Sequence, residues 1–348
     1  MTGGTKGLGS EGKNGCVAQT LLALLLTLPL LGQPIRNGEL PTPLPLFPPT
    51  NWWNADITSA PVDPRSASFI TFIGVSRGMH PDFGGESGDP DAPIYGMPYI
   101  VVSGSQPLVP VTFDYDDESD YAAPGRPPGY PIPEEAKTEQ RWIEAGLAGG
   151  DPRADGDRHM LIVDRDNRIL FELYATRWTG TRWEAGSGAI FPLDSNTRRP
   201  DGWTSADAAG LAILPGLVRY DEVAGPDPIR HAFRVTVRAS NGYVFPGSHK
   251  AGSNSSALPM GARLRLKAGV DISRFTPSVR KIFQAMKTYG LIVADNGSDM
   301  YVSGMYDTRW DNDVLNPAFS AIKASDFEVV QLGWQVAVGG VRRRSARH

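Results

Sequence analysis

A single cysteine, Cys16, is all the thiol chemistry that the 348-residue chain holds. It lies upstream of the short apolar run 20–31, so everything after that run lacks both disulfides and thiolate nucleophiles or ligands. Core burial or bound ions must therefore supply the stability. Histidine is also scarce: the chain has five, none in an HExxH spacing, which leaves transition-metal catalysis without support. No GxSxG elbow is present, so a Ser-His-Asp reading built on Ser205 and His231 has no hydrolase context. Net charge is slight, 34 basic against 38 acidic residues, and gives no general electrostatic reason for a nucleic-acid partner. No apolar run is long enough to span a bilayer comfortably. The run 20–31 follows Lys6 and Lys13 and ends at Gly32-Gln33-Pro34, the form of a secretory signal peptide over residues 1–33. An uncleaved membrane anchor is the alternative.

What the chain does have is turn chemistry, with 39 glycines and 30 prolines interrupting short β-prone runs. Residues 34–50 are rich in proline and read as an extended linker, and the tail 334–348 reads as disordered. Between them, 51–333 reads as one β-rich domain. The clearest hairpin is 159–176, two apolar runs around Asp164-Arg165-Asp166-Asn167-Arg168; alternation puts Glu172 and Tyr174 opposite Phe171 and Leu173. Residues 95–113 read as a hairpin or strand pair, 134–147 as a short amphipathic helix, and 66–74 as a turn or two of helix. Thr276 and Pro277 open a helix that Gly290 ends, with Val279, Ile282, Phe283 and Met286 on its inner face. A turn signal at Asp295–Asp299 separates two short apolar runs. Regular helices between strands are missing, which argues against a parallel βα fold. The expected fold is mainly β, an antiparallel sandwich or jelly-roll-like domain with a few peripheral helices.

The densest chemistry lies in 202–236, where a serine, separated carboxylates and a histidine fall within one loop-rich passage. Glycosidic hydrolysis needs two carboxyl groups facing one bond, one kept protonated and one ionised. Glu172, Asp207 and Glu222 are the candidates, Asp207 because it sits among apolar residues where an acid is costly to bury. His159 and His231 are candidate acid–base groups if they share that cleft, and core histidines if they do not. Trp183, Trp203 and Tyr174 are candidate sugar platforms, although buried tryptophans are commoner. Two strands carry basic stripes, Arg230 and Arg234 on one, Arg263, Arg265 and Lys267 on the other. They form either an anionic-glycan surface or simply the solvated face of a sheet. The acidic run 114–120 offers Asp114, Asp116 and Asp117 as oxygen ligands for calcium, without an EF-hand pattern.

The strings HPDFG at His80, DRHMLIVD at Asp157, GWTSADAAG at Gly202, LPGLVRYDEV at Leu214, HAFRVT at His231, GARLRLK at Gly261, YGLIVADNGS at Tyr289 and RWDND at Arg309 resemble a widespread family of secreted bacterial proteins of unknown function. The resemblance covers nearly all of the chain after the apolar run. It implies an exported bacterial protein and transfers no catalytic residue. The leading functional expectation is a glycoside hydrolase acting on extracellular polysaccharide. A lyase on uronate-rich glycans and a non-catalytic glycan- or cell-wall-binding protein are the alternatives.

Overall fold

The computed structural model describes residues 1–4, 32–85, 95–121 and 129–336. The expected signal peptide falls largely, and the expected disordered tail mostly, outside the described residues. No helix among the described residues is long and apolar enough to cross a membrane.

Strands dominate. In chain order they are β1 (Ile35–Arg36), β2 (His80–Asp82), β3 (Tyr99–Val102), β4 (Val111–Phe113), β5 (Met160–Asp164), β6 (Ile169–Tyr174) and β7 (Arg177–Trp178). Then come β8 (Trp183–Ala185), β9 (Ser187–Pro192), β10 (Phe233–Val237), β11 (Arg263–Leu266), β12 (Leu291–Asn296), β13 (Tyr301–Ser303) and β14 (Phe327–Val329). The helices are α1 (Ser66–Ile73), α2 (Tyr220–Ala224), α3 (Pro277–Thr288) and α4 (Asn312–Ala321). Three sheets result, ordered β1-β3-β5-β6-β9, β14-β11-β12-β10-β13-β2 and β4-β8-β7.

The sheets are mixed, not purely antiparallel. β3 runs parallel to β5, β10 to β12, β13 to β2 and β4 to β8. Parallel neighbours go with burial on both faces, and β3, β5 and β10 are buried along their whole length. The residues of β5 alternate between two cores: Leu161 and Val163 join the large core shared with β10–β13 and the helices, while Met160 and Ile162 join a second core with Phe113, Tyr130 and Trp183. The 159–176 hairpin forms as expected, its turn tied by the Asn167 amide to Asp164 Oδ1 at 2.9 Å. Two other pairings differ. β3 and β4 belong to separate sheets, and β10 inserts between β12 and β13, so the Asp295–Asp299 turn joins strands that are not neighbours.

Residues 34–50 pack on the domain: β1 pairs with β3, and Leu40, Leu46 and Phe47 are buried. Asn54 Nδ2 holds the carbonyls of Leu46, Phe47 and Pro48. In place of a helix over 134–147 there is a 3-10 turn at Glu134–Lys137, then a loop in which Arg141 and Ala145 take positive φ of 68° and 66°. Such angles in non-glycine residues cost energy and persist where the surroundings enforce them.

Helix α3 matches its sequence signals. Thr276 Oγ1 accepts from the Val279 amide, Pro277 is the first helical residue, and Gly290 follows the end with φ of 77°. Val279, Ile282, Phe283 and Met286 are fully buried, each burial contributing about 1.5–3 kcal/mol. Thr276→Ala should lower the unfolding free energy by about 1 kcal/mol and Ile282→Ala by about 2–5 kcal/mol, read from denaturant midpoints at unchanged slope. Equal effects of the two would mean that the helix is not anchored through this face.

Candidate functional site

Arg234, on β10, is buried with 3% of its surface exposed. Its Nε and Nη2 reach the two oxygens of Asp207 at 2.8 Å each, its Nη2 also reaches Asp295 at 3.1 Å, and its Nη1 donates to Ser303 Oγ at 2.8 Å. Each partner arrives by a different route. Asp295 and Ser303 stand on the strands flanking β10. Asp207 comes from a tight loop in which the Ser205 hydroxyl accepts its amide at 2.9 Å and Gly210 takes φ of 73°. A Cβ at Gly210 would collide with Ser248 Oγ and the Trp203 carbonyl, so the turn requires glycine. The Ser205 hydroxyl is spent on this turn, donating to the Leu211 carbonyl at 2.6 Å.

Beside this hub, His159 makes two hydrogen bonds, to Glu144 Oε2 at 2.5 Å from Nδ1 and to the Ala206 carbonyl at 2.9 Å from Nε2. Both ring nitrogens face acceptors, so the ring is best satisfied as imidazolium. Burial opposes that charge, but the Glu144 carboxylate outweighs it and pushes the pKa up to about 9. On the other side, burial likewise resists the charge on Glu144, yet His159 holds its carboxyl below the usual range. Glu144 Oε2 also accepts the His159 amide at 3.1 Å, and the strained Arg141–Ala145 loop carries it there.

Two cavities open on this network and share Asp157 in their walls. The first, about 520 Å³, is lined by Asp82, Glu144, Asp157, Arg141, Tyr95 and Tyr306, together with Ser303. Arg141 stacks over the Tyr306 ring and donates to its hydroxyl. Asp82, at the end of β2, has no hydrogen-bond donor among the described residues; burial raises its pKa, with Glu144 and Asp157 adding to the push against Arg234. The second cavity, about 400 Å³, is lined by Tyr174, Asp207, His249, Glu118 and Asp295. Asp295 is raised to about 6, by burial first and then by Asp207, against the pull of Arg234.

Of the residues singled out from sequence, the fold thus brings His159, Tyr174, Asp207 and Arg234 together. Arg234 is no part of an outer basic stripe, because both faces of β10 are covered. Glu172 lies close by but faces neither cavity. It is wholly buried, and its carboxylate accepts the Ile213 and Leu214 amides at 2.8 to 2.9 Å, which caps a 3-10 turn at Leu214–Gly216. Burial pushes it up to about 7 in spite of those amides.

Glu222 and His231 form a separate cluster. His231 Nε2 meets Glu222 Oε2 at 2.9 Å, and the buried Arg219 reaches Glu222 Oε1 at 2.7 Å, beside a different cavity. Trp183 is 2% exposed in the second core, so it is not a loop platform. Trp203 is half-buried beside Arg199. Arg265 is buried, bound to backbone carbonyls and Glu328, and two strands away from β10, so the two basic stripes do not join. Asp114, Asp116 and Asp117 are exposed, and no cluster of three or more His, Cys, Asp or Glu arranged to hold a metal occurs among the described residues. From the same acidic run, Glu118 accepts the Thr204 amide and Asp120 pairs with Arg199, so these two staple the 199–204 loop.

Asp82, Glu144, Asp157, Asp295 and Ser303 were not anticipated. The rule that picked out Asp207, an acid in apolar company, also applies to Asp295 in LIVADN; Glu144 carries no such signal, because its segment reads as part of a short amphipathic helix.

Two outcomes test this arrangement. His159 titrates higher in the folded protein than the ordinary 6.5, so its stabilisation is complete below pH 6.5 and is lost as pH rises through about 9. Glu172, near 7, and Arg263, near 9, titrate in the same range, so the test is a difference: the stability of the wild-type protein relative to His159→Gln should fall by on the order of 3 kcal/mol from pH 7 to 10. Glu172→Ala strands two buried amides and should cost about 2–4 kcal/mol, with Glu172→Gln milder; a neutral Ala variant in calorimetry would rule out the capping role.

Comparison with family models, with curated proteins and with solved structures finds no match to this chain.

Proposed function

We propose that this protein is an exported glycoside hydrolase in which Asp82 is the general acid and Glu144 the general base. The observation that carries the reading is that two carboxyl groups line one cavity while their surroundings drive them in opposite directions, Asp82 up and Glu144 down. That is the division of labour that glycosidic cleavage needs. Asp82 gives its proton to the glycosidic oxygen as the anomeric carbon–oxygen bond breaks. Glu144 takes a proton from the water that adds to that carbon. His159 fixes Glu144 through Oε2 and leaves Oε1 unclaimed among the described residues.

The carboxylates first read from sequence are less suited. Asp207 is engaged at both oxygens by Arg234, Glu172 is closed off, and Glu222 lies elsewhere. Tyr95, 57% exposed at the mouth, offers a ring on which a sugar can stack. The lining sets Asp82, Glu144 and Asp157 against Arg141, which favours neutral glycans over polyuronates and so favours hydrolysis over uronate elimination. The second cavity across Asp157 supports a polymer as substrate, since it extends the polar lining past the reacting bond.

The mature protein, Asp82→Asn and Glu144→Gln should be incubated with neutral and uronate-containing polysaccharides, following reducing ends and ultraviolet absorbance. Cleavage of a neutral glycan that falls by about 10²-fold or more in each variant, with folding intact, is the expected result. The alkaline limb of the rate profile should disappear in Asp82→Asn, because it reports loss of the acid's proton. Undiminished activity in both variants would refute the assignment, unsaturated products would indicate a lyase, and retention on a polymer without cleavage would indicate a binding protein.

A further inference from the structure

Strand β11 carries two buried arginines on one face, Arg263 and Arg265, each 8% exposed. Both hold the backbone of the segment that precedes α1. Arg265 donates to the carbonyls of Ile57, Thr58 and Ala60, and its charge is answered by Glu328, directly across on β14, with Nε and Nη2 at 2.8 and 2.7 Å from Oε1.

Arg263 repeats only the first half of that arrangement. It donates to the Trp52 carbonyl and, at 3.4 Å, to that of Ala55, and the residue whose amide meets its own carbonyl across the sheet is Val330. Among the described residues no carboxylate pairs with it. Burial without a countercharge depresses its pKa to about 9, the reverse of what is found at Arg234. A buried charge normally has a partner, and a guanidinium has five N–H groups to offer; here protein atoms take two.

What Arg263 faces explains where a partner could come from. It lines a cavity of about 280 Å³ whose other walls include Trp52, Phe245, Pro246, Val330 and Trp334. Trp52 and Phe245 meet edge to face at 5.9 Å, and the Trp52 Nε1–H is buried without an acceptor. An unanswered cation and an idle donor in an aromatic pocket suit an anion that carries an apolar body.

We infer that this cavity binds a small amphipathic carboxylate, an aromatic or short aliphatic acid whose carboxylate supplies the countercharge that Arg263 lacks. The site is separate from the Asp82–Glu144 cavity, shares no lining residue with it, and does not depend on the proposed hydrolysis.

The test is titration of the mature protein with benzoate and with octanoate, against benzyl alcohol and octanol as uncharged controls, following the indole N–H resonances and assigning Trp52 through Trp52→Phe. Saturable benzoate or octanoate binding that shifts the Trp52 resonance, with the matched alcohol at least about tenfold weaker, is expected. Val330→Glu, which copies the Arg265–Glu328 pair, should weaken the acid by about tenfold or more, whereas Val330→Gln should not. Gln331→Glu, at an exposed position in the same wall, provides the same test if Val330→Glu does not fold. Equal binding of acid and alcohol, no saturable binding of either acid, or acid binding unchanged in the folded glutamate variants would overturn the inference.

Discussion

One buried ion pair, the two-pronged bond between Arg234 and Asp207, organises the centre of this molecule. A guanidinium taken out of water is tolerable only when its donors are matched in number and direction, and here Asp207, Asp295 and Ser303 together match them. The bond joins a strand in the middle of the six-stranded sheet to the 202–213 loop, which the amides of Ile213 and Leu214 also tie to Glu172 on the five-stranded sheet. Removing one partner of such a pair leaves the other charged and stranded, which typically costs about 3–5 kcal/mol. Arg234 is therefore both a structural clamp and the source of positive potential for the acids around it.

That potential sorts the neighbouring carboxyl groups. Asp295 touches Arg234 yet stays raised, because burial is strong and Asp207 stands beside it. Asp82 is raised as well, by burial and without a donor among the described residues to settle its charge, while Glu144 is drawn down by an imidazolium that it helps to create. Identical functional groups around one buried network thus acquire different proton affinities from their surroundings alone. The strain in the Arg141–Ala145 loop fits this picture, since off-minimum backbone tends to persist where it presents a side chain to a cavity.

Arg263 and Arg265 show how little of this can be read from residue type. In the sequence they form one alternating basic stripe with Lys267. In the fold both are buried against the same incoming segment, and they differ in one cross-strand neighbour, Glu328 for Arg265 and Val330 for Arg263. A single apolar residue in place of an acid leaves one charge open to a cavity and the other closed.

The sequence by itself determined what local physics determines. Helix α3 was legible from its cap, its leading proline and its apolar spacing, the 159–176 hairpin from alternation and its turn, and the unusual cost of Asp207 from its apolar neighbours. Whether a second sheet covers the polar face of a strand is not local. Arg234, Arg263 and Arg265 therefore read as solvated, and Glu172 as facing solvent or a concave surface, although all four are buried. Parallel pairings such as β3 with β5 and β10 with β12 leave no turn between them to be recognised. The site draws Asp82, Glu144, Asp207 and Asp295 from four distant segments, and only tertiary structure could decide which carboxylates share a cavity, because proton affinity follows from burial and neighbouring charge that no stretch of chain contains on its own.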